Sequence, residues 1–121
     1  MKRFLIAGLG LMLSVGLASV AMAADTPTST SVTGTLEDSF CYGTMGAHGA
    51  SHQKCAIGCA KAGIPVSLVD SSSKKIYILL PAKNAQSLPD DVISKMEDTV
   101  TVSGKEFSKG GVSFLTVDSV K

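Results

Sequence analysis

Past Pro65 the apolar residues alternate with polar ones in short bursts separated by turn residues, and a period of two is the signature of strands. P-V-S-L-V-D reads as one strand, S-S-S-K as a turn and K-I-Y-I-L-L-P as a second strand, which together signal a hairpin. T-V-T-V-S-G-K-E-F-S and G-V-S-F-L-T-V-D-S-V form another pair, joined through Lys109-Gly110-Gly111. Between the two pairs, Pro89-Asp90-Asp91 marks a helix start, and Val92, Ile93 and Met96 fall at helical spacing. That stretch is one short helix or two turns. Upstream, V-T-G-T-L-E-D-S from Val32 gives a first strand, with Gly34 at a bend or bulge. The order predicts a mainly β fold: a small five-stranded OB-like barrel, with one insertion between strands 1 and 2 and a short helix between strands 3 and 4. A five-stranded sandwich of another topology would show the same periodicities.

The insertion carries the chemistry. Every cysteine and histidine of the chain lies in one window, F-C-Y-G-T-M-G-A-H-G-A-S-H-Q-K-C-A-I-G-C, as Cys41, His48, His52, Cys55 and Cys59. Gly43 to Ser51 holds three glycines and is expected to be a loop. Ser51 can cap a helix over His52 to Ala62, with Gly58 its weak point and Gly63 and Pro65 ending it. At about 100° per residue, His52, Cys55 and Cys59 then point within roughly 60° of one another, so the helix presents three ligands on one stripe. Cys41, arriving from the preceding loop, closes the set.

Two readings of that set stand side by side. Three thiolates and one imidazole, Cys41, His52, Cys55 and Cys59, form the Cys₃His complement of a structural zinc site, and thiolates also suit copper(I). Such a set leaves no open position, so hydrolysis at the metal is not expected and the protein is read as a binder, not an enzyme. Alternatively Cys41 pairs with Cys55 or Cys59 in a disulfide that staples the helix to the first strand, at a typical stabilisation of ~2–4 kcal/mol. The domain would then be an interaction module for a protein, peptide or glycan partner, and one cysteine is left over. The spacing lacks the paired C-x-x-C of zinc ribbons, and C-A-I-G-C-A lacks the C-x-x-C-H of covalent haem attachment. His48 between glycines reads as an exposed loop residue, and Met45 as packing with a thioether within reach of copper(I). Glu97-Asp98 reads as solvated charge at a helix end.

The compartment bears on both readings. Met1-Lys2-Arg3, the apolar run Phe4 to Val20 and Ala21-Met22-Ala23 have the three parts of a cleavable signal peptide, 1–23. Residues 24–31, A-D-T-P-T-S-T-S, follow as a polar leader expected to be flexible, and 32–121 as the barrel domain. The expected location is periplasmic or secreted, with no membrane attachment after cleavage. Loss of Lys2 and Arg3 from eleven basic residues leaves nine against ten acidic ones, with no basic stripe for a nucleic acid. A domain of about a hundred residues without tryptophan has a small core that a cross-link or a bound metal would help to stabilise.

The runs G-T-L-E-D-S-F-C-Y, H-Q-K-C-A-I-G-C-A-K-A-G-I-P-V and V-T-V-S-G-K resemble those of small exported bacterial proteins of OB-fold type. The resemblance spans most of the mature chain, and its specific part is the Cys, His, Cys, Cys pattern onto which Cys41, His52, Cys55 and Cys59 fall. It implies the barrel and the importance of the cluster, and it brings no activity with it.

Overall fold

The computed structural model describes residues 26–121; the expected signal peptide, 1–23, and the first two residues of the expected leader lie outside the described residues. The elements in chain order are β1 (Thr28–Asp38), α1 (Ser39–Met45), a 3₁₀ turn (Ala50–His52), α2 (Gln53–Lys61), β2 (Val66–Asp70), β3 (Ile76–Pro81), α3 (Asp90–Ile93), β4 (Thr99–Lys109), β5 (Val112–Val117) and the short β6 (Ser119–Val120). The ladders run β1, β2, β3, β5, β4 and back to β1, closing a five-stranded barrel, while β6 extends the sheet beside β4. Every pairing is antiparallel except β3 with β5, where Tyr77 faces Ser113 and Pro81 faces Val117. This is the strand order of an OB-fold barrel, with helices in the two connections where the alternation places them.

Closure falls to β1 and β4, the two eleven-residue strands, each of which pairs with more than one neighbour. β1 runs against β4 from Thr28 to Thr35 and against β2 from Gly34 to Asp38. At the changeover a Cβ on Gly34 would lie 2.3 Å from the Val69 carbonyl oxygen, so only glycine lets the strands approach so closely. Gly104 does the same for β4, where a Cβ would meet the Thr116 carbonyl oxygen of β5. Outside, the β1–β4 seam carries a ladder of hydroxyl pairs, Ser31–Ser103 and Thr33–Thr101 at 2.7 Å and Thr35–Thr99 at 3.4 Å. Inside, Val32, Leu36, Leu68, Tyr77, Leu79, Val100, Val102, Leu115 and Val117 fill the barrel, while Ala56 of α2 and Val92 and Met96 from the α3 region cover the core.

Three expectations need correction. Thr28 to Ser31, expected as flexible leader, are the first residues of β1 and pair with Ser103 to Glu106. Their side chains carry no apolar alternation, so the strand is dictated by its partner and not by its own pattern. The first three residues of the expected loop, Gly43 to Met45, and Cys41 lie in α1, while Gly46 to Gly49 remain loop. Asp38 caps this helix by accepting the Cys41 N–H at 2.8 Å, and Gly46, at φ 64, ends it in the left-handed conformation. Ser51 caps nothing; it sits inside the 3₁₀ turn, whose N-cap is Gly49, and α2 starts one residue later than expected, at Gln53.

Candidate metal centre

α1 and α2 meet over the β1 end of the barrel, and each places thiols at the meeting point. Cys41 is the third residue of α1, held there by the Asp38 cap, and it is buried. Cys55 and Cys59 stand one turn apart on α2, exposed and half-buried respectively. The three sulfur atoms lie within 4.8 Å of one another, and all three are free thiols. Burial first, and then the Asp38 carboxylate beside it, push the Cys41 thiol up to about 12. Burial and the same carboxylate also raise the Cys59 thiol above its usual range.

His52 does not join the three thiols as a fourth member. Among the described residues it belongs to a second group, Asp38, Cys41 and His52, whose ligand atoms also lie within 4.8 Å of one another. The single-stripe expectation fails because His52 ends the tighter 3₁₀ turn instead of beginning α2, and its ring is held from the far side. Its Nδ1 donates to Glu97 Oε1 at 2.8 Å, which leaves Nε2 facing Asp38 Oδ2 at 3.6 Å. A separation of 3.6 Å is too long for a hydrogen bond. Asp38 is fully buried, its Oδ1 is taken by the Cys41 N–H, and its Oδ2 has no hydrogen-bond partner.

Behind His52 stands a carboxylate support. Glu97, expected as solvated charge, is buried and orients the ring; its other oxygen accepts the Gly49 N–H at 2.7 Å. Glu97 reaches this position through a left-handed backbone conformation, φ 69, with its own N–H donating to the Leu36 carbonyl at 2.7 Å. Gln53 ties the start of α2 to the same segment by donating to the Met96 carbonyl at 2.9 Å. Glu37, next to Asp38, is buried as well. Burial, and then its hydrogen bond with Glu97, push its carboxyl up to about 8. Imidazoles that ligate metals are oriented by carboxylates in this way, Nδ1 donating and Nε2 turned to the ion.

Each group is of a size that can hold a metal ion. Met45 is exposed, and neither it nor His48 enters either group; His48 lines a separate polar cleft with Tyr42, Glu37 and Lys74. Asp38 and Glu97 are the residues that sequence reasoning missed. A signal for Asp38 was present, an Asp three residues before a cysteine with a glycine eight after it, the frame of a capped helix. Glu97 had none, because 45 residues separate it from His52. Comparison with protein-family models, with curated proteins and with solved structures gives no match for this chain.

Proposed function

We propose that this protein is an exported binder of a thiophilic metal, zinc or copper(I), acting as a carrier, a sensor or a domain that the metal helps to hold folded. The observation that carries the reading is the convergence of three free thiols, from two separate helices, to within 4.8 Å. Folding brings them together at the cost of burying Cys41 beside a carboxylate, an arrangement that a bound cation relieves and a plain packing role would not need. Cys55 leaves the centre open to solvent on one side, which suits loading and transfer. His52 and Asp38 form a second group with Cys41 and are not members of the three-thiol set.

The test is intact mass under native and denaturing conditions, for the reduced protein supplied with zinc and separately with copper(I). Retained metal that is lost when Cys41, Cys55 or Cys59 is changed to Ser, one at a time, supports the proposal. A metal-free protein whose mass is lower by two hydrogens after oxidation, with one cysteine silent in every assay, would replace it by the stapled interaction module.

A further inference from the structure

We propose that the centre holds two metal ions that share the Cys41 thiolate, an outer one among Cys41, Cys55 and Cys59 and an inner one among Asp38, Cys41 and His52. This rests on the metal-binding reading above and adds a second ion to it.

The donor atoms divide that way by geometry. Both groups contain Cys41 Sγ, and the other four donors divide into two pairs, with no four-membered group among the described residues. Zinc bond lengths of about 2.0–2.1 Å to nitrogen or oxygen place two such ligand atoms of one tetrahedral ion roughly 3.3–3.4 Å apart. The 3.6 Å between His52 Nε2 and Asp38 Oδ2 is slightly wider than that, which an ion accommodates at a ligand–metal–ligand angle of roughly 120°, and it is too long for a hydrogen bond. One ion can therefore sit between these two atoms.

The inner position has an independent mark. Asp38 Oδ2 is a fully buried carboxylate oxygen that accepts no hydrogen bond and lies 3.6 Å from His52 Nε2. Buried polar atoms are nearly always satisfied, and a charged one left alone is costly. The Glu97 contact at Nδ1 leaves Nε2 as the ring atom turned toward Asp38.

The experiment is native mass spectrometry of the reduced protein titrated with zinc, repeated with cadmium, whose thiolate charge-transfer absorption reports the sulfur ligands. The expected result is two ions per chain. Asp38→Asn and His52→Gln each reduce this to one while keeping the cadmium–thiolate absorption, Cys55→Ser loses the outer ion, and Cys41→Ser weakens both. One ion in the wild type, or two retained in both Asp38→Asn and His52→Gln, overturns the inner position and leaves the three-thiol site standing. No ion at all overturns the proposed function itself. The wild-type count decides the matter even where a variant fails to fold.

Discussion

Metal affinity should depend steeply on pH, and the structure sets the slope. The thiolate is the ligand, yet Cys41 is pushed up to about 12 and Cys59 is raised too, so both hold their protons at neutral pH in the metal-free protein. An ion captured by the three-thiol group displaces at least these two protons. Each displaced proton makes the apparent affinity rise about tenfold per pH unit, so between pH 6 and pH 8 it should climb at least ~100-fold per unit. The sign is fixed: lower pH favours the protonated, metal-free form. The assay is zinc competition against a chromophoric chelator of known pH behaviour, with proton release followed by an indicator dye in weak buffer. Alkylation checks the premise. At pH 8 a thiol titrating near 12 is ionised in about one molecule in ten thousand, so Cys41 should react far more slowly than exposed Cys55, and bound zinc should protect all three. An affinity flat in pH over this range, or Cys41 alkylating as fast as Cys55, would refute the reasoning.

Gly104→Ala drives a Cβ into the Thr116 carbonyl at the barrel closure, and should cost ~2 kcal/mol or more, a fall in Tm of roughly 8–16 °C in thermal unfolding. Gly58→Ala, in the interior of α2 with nothing within 4 Å of its Cβ, should instead raise stability by ~0.5–1 kcal/mol without changing metal stoichiometry. Glu37 titrates at about 8 in the folded protein against an ordinary 4.5, so the native state binds its proton more tightly. Its stabilising contribution is complete below about pH 4.5 and is lost as pH rises through 8. Glu37→Gln, which keeps a donor toward Glu97, should flatten the decline of Tm between pH 5 and pH 9, and an unchanged decline would show that another group is responsible.

Much of this molecule is legible in the order of its residues. Apolar β-branched runs bounded by turn residues mark β2, β3, β4 and β5 locally, as helical spacing marks the helix that carries Cys55 and Cys59, although the buried face is not legible in β2, where Val66 to Val69 are all buried, or in β3, where Ile76 and Leu80 are exposed. The three cysteines stand within nineteen residues of one another, and a cluster so close in sequence needs little tertiary structure to assemble. Two features needed the whole fold. The first four residues of β1 are polar and become strand only because β4 offers them a ladder, and a ladder is a set of hydrogen bonds between residues far apart in the chain. The division of the metal centre is the second. Sequence spacing put His52 on the cysteines' stripe, but its ring is turned by Glu97, which arrives from beyond α3, towards Asp38 at the end of β1. Side-chain direction at a buried site is set by whichever charged partner the fold delivers there, since leaving either group unpaired costs more than rotating a side chain.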